Sequence, residues 1–132
     1  MSRADILTTA GASLKELARR RRLRIRDMFL ILVSGEEFDL QKPGASLVLD
    51  EKMRTCKEGM LKSFMEESES TSPCWLAASM VGLPIRYQER ILGGLLIHLS
   101  ETSQTEKISE TDVKLLSVTA DLLGLAIQNS LL

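Results

Sequence analysis

Two apolar segments separated by a charged tripeptide constrain the fold of this chain most strongly. CWLAASMVGLPIRY (74–87) precedes the tripeptide QER, and ILGGLLIHLS (91–100) follows it. Apolar runs on either side of a short polar connection predict a β-hairpin. DMFLILVSG (27–35) predicts a central strand that is covered on both faces. GEEFDLQKPG (35–44) predicts a polar connection, and ASLVLD (45–50) a second, shorter strand.

The N-terminal segment has the pattern of an amphipathic helix. Ser2 and Asp5 form a capping box, which satisfies free backbone N–H groups at a helix start. Apolar residues then recur every three or four positions, and we expect the helix to end near Arg20. The apolar positions of this helix are Ile6, Leu7, Ala10, Leu14, Leu17 and Ala18.

A middle segment also has helical spacing. Asp50 is placed to cap a helix, but Gly59 interrupts the pattern, so the sequence predicts either two short helices or one kinked helix. Residues 66–73 predict a loop from their composition. The apolar positions of the helical segment are Met53, Cys56, Met60, Leu61, Phe64 and Met65.

The closing segment gives the clearest helix prediction, with a second capping box at Ser109 and Asp112. A helix on a sheet buries a stripe of roughly 100°, and this one carries more apolar surface than that. We expect the surplus to contact a second copy of the chain; the alternative is a central helix within a monomer. The absence of a polar stop at the end predicts continuation into a longer parent chain. We assign Val113, Leu116, Ala120, Leu123 and Ile127, at heptad spacing, to the dimer interface, while Leu115, Leu122, Leu125, Ala126 and Leu132 occupy the neighbouring arc.

Composition limits the domain count and the class of partner. The length of 132 residues and the 44% apolar content suit one domain, residues 1–132. The 17 basic and 18 acidic residues nearly cancel, so we expect neither nucleic acid nor a membrane as partner. The arginine-rich run 19–26 is best explained as a solvated helix end. Cys56 and Cys74 predict free thiols in a reducing compartment, and hence a cytoplasmic protein.

Catalytic and metal-binding patterns are not found in the sequence. No Ser/His/Asp arrangement, Gly-rich phosphate loop or apolar carboxylate cluster is present. One histidine without further ligands makes a poor metal site. We therefore expect no catalytic residues, no metal and no enzymatic activity.

Three stretches of the chain resemble the C-terminal half of a GAF domain, a sensory module of signalling proteins. They are LPI (83–85), ILGGLLIHLS (91–100) and the closing segment (108–132), of which the last is the most specific. EGMLKSFMEESES (58–70) resembles the short pocket helix of the family more weakly. The resemblance implies an α+β, profilin-like fold. Such a fold has an antiparallel sheet, N- and C-terminal helices on one face, and short helices over a ligand pocket on the other.

The chain departs from the ligand signatures of the family. A bilin attachment cysteine is usually followed by histidine, but Lys57 follows Cys56 and Trp75 follows Cys74. The signature of cyclic-nucleotide-binding members is not found. The short segment 70–77 implies a small or shallow cavity. The cofactor, if there is one, is therefore unknown from the sequence.

His98 is the only histidine, and it lies within an apolar strand segment. Side chains alternate along a strand, so His98 shares a face with Gly94 and Leu96. The resemblance places that face toward the pocket if Gly93 is the family's glycine, and toward the terminal helices if Gly94 is. Both a structural hydrogen bond and a bond to a ligand remain open. The candidate ligand-binding residues are Met60, Phe64, Cys74, Trp75, Leu96 and His98.

These features lead to one functional hypothesis and one alternative. We expect a sensory or regulatory module from a larger signalling protein, such as a histidine kinase or transcriptional regulator with its own output domain. A small molecule in the pocket would change how the terminal helices pair in a homodimer. The alternative is a structural dimerisation domain whose pocket is filled by its own side chains.

Overall fold

The computed structural model describes residues 3–42, 47–66, 73–77, 79–100 and 109–130. These ranges contain three helices and five strands. The helices are α1 (Arg3–Arg20), α2 (Glu51–Glu66) and α3 (Glu110–Ser130). The strands are β1 (Ile25–Leu32), β2 (Glu37–Asp39), β3 (Cys74–Ala77), β4 (Met80–Tyr87) and β5 (Arg90–Leu99).

The five strands form one antiparallel sheet in the order β2-β1-β5-β4-β3. The predicted hairpin is confirmed as β4 and β5, which pair from Met80 opposite His98 to Tyr87 opposite Arg90. The turn between these strands contains Gln88, whose φ of 57° lies in the left-handed region. β5 lies at the centre of the sheet, because it also pairs with β1 along nearly its whole length.

The structure corrects two strand predictions. The described part of the predicted strand 45–50, residues 47–50, forms no strand, and β2 lies instead in the segment 35–44 that was predicted to be a connection. Leu49 of this segment is buried and packs with residues of α2, so an apolar residue here contributes to the core without forming a strand. The first arm of the hairpin is also divided, since β3 and β4 are separate strands that pair with each other.

One face of the sheet is covered by α1 and α3. Side chains from the sheet, including Leu83, Leu95 and Ile97, pack against buried residues of the two helices, such as Leu14 and Leu116. α3 approaches the backbone of β4 closely at Gly124, where a Cβ would collide with the carbonyl oxygen of Arg86. A helix can approach a strand backbone this closely only where it has no side chain.

The helix ends agree with most of the predicted signals. α1 ends at Arg20 as expected, and Arg22 takes the left-handed position (φ 57°) that follows it. The N–H of Leu23 donates to the carbonyl of Ala18 over 2.8 Å, and the N–H of Arg22 donates to that of Arg19 over 3.3 Å. This pair of bonds is a Schellman motif, which satisfies the last carbonyls of a helix. The capping box predicted at residues 2 and 5 cannot be compared, because Ser2 lies outside the described residues.

The two other predicted caps are present. Asp50 Oδ1 accepts from the N–H of Met53 over 2.8 Å at the start of α2. Ser109 Oγ accepts from the N–H of Asp112 over 3.2 Å, and Asp112 Oδ2 accepts from the N–H of Ser109 over 3.4 Å. These bonds are the reciprocal pair of a capping box. Gly59 does not divide α2, which continues from Glu51 to Glu66 as one helix.

A candidate ligand site between the sheet and α2

The face of the sheet beneath α2 has two glycines on neighbouring strands. Gly82 on β4 pairs with Leu96, and Gly94 on β5 pairs with Pro84, so the two glycines are diagonal neighbours. A Cβ on Gly82 would lie 2.6 Å from Sδ of Met60, and a Cβ on Gly94 would lie 2.6 Å from its Cε. The fully buried side chain of Met60 therefore lies across both glycines and fills the space that they leave.

A continuous apolar layer surrounds Met60, and we call it the α2 layer. Three of its members, Met60, Phe64 and Leu96, were predicted as ligand-binding residues. Phe29 and Ile31 were missed because a run of apolar residues on β1 does not show which ones face which helix. The register now shows it, since these two residues pair with Leu96 and Gly94. The buried members of the α2 layer are Phe29, Ile31, Leu49, Met53, Met60, Phe64, Met80, Ile91 and Leu96.

His98 lies on the same face of β5 as Gly94 and Leu96, at the edge of the α2 layer. The alternation predicted this grouping, and the register decides between the two faces that the sequence left open. His98 Nδ1 is 3.2 Å from Oδ2 of Asp27, its cross-strand neighbour on β1. The imidazole is 12% exposed. Because a carboxylate only accepts hydrogen bonds, the imidazole donates to it from Nδ1–H. Sequence spacing gave no signal for Asp27.

The structure places Cys74 and Trp75 on opposite faces of β3. Cys74 pairs with Gly82 and packs at the edge of the α2 layer. Trp75 pairs with Val81, a residue that packs beneath the terminal helices. The side chain of Trp75 is 46% exposed. Five of the six predicted site residues therefore lie on the α2 side of the sheet, and Trp75 lies on the other side. A strand reverses its side chains at every residue, so neighbours in sequence cannot line the same pocket.

An ion pair connects α2 to the edge of the sheet. Lys57 Nζ lies 2.6 Å from Oε1 of Glu37 on β2, and both side chains are largely buried. Partly buried charge pairs of this kind are screened less by solvent than exposed ones. The Lys57 charge is therefore engaged by the protein itself and is not directed at the α2 layer.

Comparison with known families identifies this architecture. The sequence model of the GAF domain matches residues 43–127. The chain belongs to the GAF domain family. The match includes α2, the strands β3 to β5 and most of α3, which are the elements that build the candidate site. GAF domains are signalling modules that sense small molecules. No curated protein matches the chain.

The α3 residues that were predicted to form the dimer interface lie in the core of this GAF domain, which corrects that assignment. These five residues pack against the sheet within one chain: Leu116, Ala120, Leu123 and Ile127 are buried, and Val113 is partly buried. They are core residues because their stripe faces β4 and α1. A second stripe on α3 is exposed instead, and its residues recur at intervals of three, four and three. It consists of Leu115, Val118, Leu122 and Leu125.

Arg19, Arg20 and Arg21, in the arginine run of this GAF domain, bind acidic residues of the same chain. Arg19 and Arg20 both bind Glu16 one turn earlier on α1, at 2.7 Å and 3.0 Å. The hydrogen bonds from these two arginines lower the pKa of Glu16 to about 2. Arg21 binds Asp112 and so joins the end of α1 to the start of α3. This agrees with a structural role for this part of the run.

An open depression of about 460 Å³ lies at the β4–β5 turn of the GAF domain, and none of its lining residues belongs to the α2 layer. Arg90 donates to Oε1 of Gln128 there over 3.2 Å, which joins the turn to the last part of α3. Within the described residues, no group of three potential metal ligands occurs. In the same part of the chain, none of the helices is both long enough and apolar enough to cross a bilayer.

Proposed function

We propose that this GAF domain is a regulatory module that pairs with a second copy through α3 and responds to a small molecule beneath α2. The observation that supports the pairing is the exposed stripe of Leu115, Val118, Leu122 and Leu125. Its three-and-four spacing matches the apolar seam of paired helices. The same stripe on the second copy offers a surface of equal chemistry, as a two-fold interface requires.

The response to a ligand would pass through β5. Leu96 packs in the α2 layer, whereas Leu95 and Ile97 pack against the terminal helices on the other face. A ligand that displaces Met60 would press on Leu96, and interiors this well packed transmit strain. The shift would reach α3 through the neighbouring residues of the same strand. The ligand changes pairing only if its affinity differs between the two arrangements.

The setting of this module follows from the same argument. A parent protein that is regulated by pairing of adjacent helices, such as a histidine kinase or a transcriptional regulator, suits an apolar surface on α3. The described cysteines are free, which fits a reducing, cytoplasmic compartment. We propose no catalytic role for the module itself.

One observation favours the alternative of a ligand-free dimerisation domain. Met60, Met80 and Leu96 are fully buried, and they fill the space between α2 and the sheet. A pocket that is closed by its own side chains needs no ligand for stability. The two functions share the α3 interface and differ only in whether a ligand displaces the side chain of Met60.

The pairing is tested by sedimentation of the wild-type protein and two variants. Leu122→Glu places a charge in the exposed stripe, and we expect monomers because an unpaired charge is costly to bury. Val33→Glu makes the same change at another exposed apolar position, outside α3, and should leave the dimer intact. A monomeric wild type, or a dimer that survives Leu122→Glu, contradicts the proposed interface.

The response to a ligand is tested by thermal unfolding with a panel of metabolites. A compound present at about 100 times its dissociation constant adds about 2.7 kcal/mol to the unfolding free energy. The proposed function requires that such a compound also changes the dimer dissociation constant. Stabilisation without that change contradicts signal transmission, and no stabilisation across the panel supports the ligand-free alternative.

A further inference from the structure

We infer that the space beneath α2 selects an uncharged, apolar compound that replaces the side chain of Met60 above Gly82 and Gly94. This inference rests on the proposed function, because it names the ligand class of that same site. It depends on the shape of the floor, the chemistry of the walls and the residue that occupies the space.

The sheet leaves an open space at Gly82 and Gly94 because glycine has no side chain. The atoms nearest to both missing Cβ positions belong to Met60: Sδ and Cγ at Gly82, Cε and Sδ at Gly94. The sheet itself therefore leaves room for a ligand. Met60 occupies most of it, and Phe64, also from α2, reaches the Gly94 end, where its Cε2 would lie 3.0 Å from a Cβ. A ligand of similar bulk can take the same contacts without moving the strands.

The side chain of Met60 is well suited to be displaced by a ligand. An unbranched thioether side chain with three rotatable bonds adopts alternative packings more readily than a branched or aromatic one. Gly59 precedes it in α2, and a glycine in a helix interior weakens the helix relative to alanine. Gly59 thus weakens α2 at the turn that carries Met60.

The walls determine the charge of the ligand. The nine buried members of the α2 layer have no buried polar side chain among them, since the buried polar residue of the described chain, Asp112, lies on α3 across the sheet. The charged groups described at its edges already have partners, since Lys57 binds Glu37 and His98 binds Asp27. A buried charge without a partner is strongly disfavoured. The site therefore discriminates against anions and cations of the same size.

Toluene and benzoate provide a matched pair of probes, because they have similar size and shape and differ in charge. The protein is labelled with ¹³C at the methionine methyl groups, and Met60→Leu assigns the Met60 resonance. We expect toluene to shift this resonance and to bind at least about tenfold more tightly than benzoate, a difference of about 1.4 kcal/mol. Benzoate that shifts the Met60 resonance as strongly as toluene overturns the inference.

Gly94→Ala tests the location directly. Its new methyl group would lie 2.6 Å from the position of Met60 Cε and so fill part of the same space, and we expect toluene affinity to fall at least about tenfold. Val33→Ala removes apolar surface elsewhere and should not change that affinity. Toluene binding that is unaffected by Gly94→Ala overturns the inference.

The failure of this inference is distinguishable from failure of the proposed function. A charged metabolite that shifts Met60 and changes dimer affinity, with no effect of toluene, overturns the ligand class and leaves the regulatory function intact. Toluene binding at Met60 in a protein that never dimerises supports the ligand class and overturns the regulatory function.

Discussion

His98 and Asp27 face each other across β5 and β1, with Nδ1 of the imidazole 3.2 Å from Oδ2 of the carboxylate. This contact explains how an apolar strand accommodates a histidine. The imidazole lies at the edge of the α2 layer, where a polar group without a partner would weaken the core. The protein provides that partner from the neighbouring strand.

We expect the His98–Asp27 contact to contribute about 0.5 to 1.5 kcal/mol to the unfolding free energy. The test is a double-mutant cycle with His98→Phe, Asp27→Asn and the double variant, measured by urea unfolding. His98→Phe alone should still fold, because Phe retains the buried ring volume. Additive effects of the two substitutions would show that the contact contributes nothing.

The stability of the protein should depend on pH through Asp112. Burial raises the pKa of this carboxyl, but hydrogen bonds from Arg21 and Ser109 outweigh that effect, so the pKa lies below its usual value of 3.8. The stabilisation is complete above the unfolded-state pKa and is lost as the pH falls through the lower, folded-state pKa. Asp112→Asn should cost about 1 to 2 kcal/mol at neutral pH.

That cost should shrink as the pH is lowered toward about 3, because protonation removes the charge from the wild-type carboxyl as well. Urea unfolding across this pH range measures it. Asp121→Asn, at an exposed position of the same helix, is the control and should change stability by less than about 0.5 kcal/mol. A cost of Asp112→Asn that does not vary with pH would exclude a role for the Asp112 charge.

Alanine should destabilise the protein much more at Gly93 of β5 than at the adjacent Gly94. A Cβ on Gly93 would collide with the carbonyl of Ile31 and lie 2.8 Å from Cα of Leu32, both in the backbone of β1. A Cβ on Gly94 meets only the ends of side chains, Met60 and Phe64. We expect Gly93→Ala to cost more than about 3 kcal/mol and Gly94→Ala about 1 to 2 kcal/mol. Chemical denaturation with equal or reversed costs would contradict the register of β5.

Two successive leucines of α3 should separate folding from association. Leu123 is 4% exposed and Leu122 is 63% exposed. Leu123→Glu should cost more than about 3 kcal/mol because it empties and charges a core position. Leu122→Glu should change the thermal midpoint of the monomer by little. A Leu123→Glu protein with the wild-type midpoint in a circular dichroism melt would contradict the orientation of α3.

Local signals in the sequence predicted the elements whose stability is local. The reciprocal bonds of Ser109 and Asp112 and the cap at Asp50 form between residues three positions apart, so the sequence contains both partners. The β4–β5 hairpin was predictable for the same reason. β2 was missed because its three residues form a strand only by pairing with β1. No feature of the segment EFD predicts that pairing.

The sequence by itself determined that α3 is a helix with more apolar surface than a sheet can cover. Only the tertiary structure decided which stripe is core: Gly124 permits close contact with the backbone of Arg86 and so turns Leu116 and Leu123 toward the sheet. The same holds for Trp75 and His98, since their faces depend on strand pairing. Periodicity shows which residues share a face, but the packing of distant segments fixes what that face contacts.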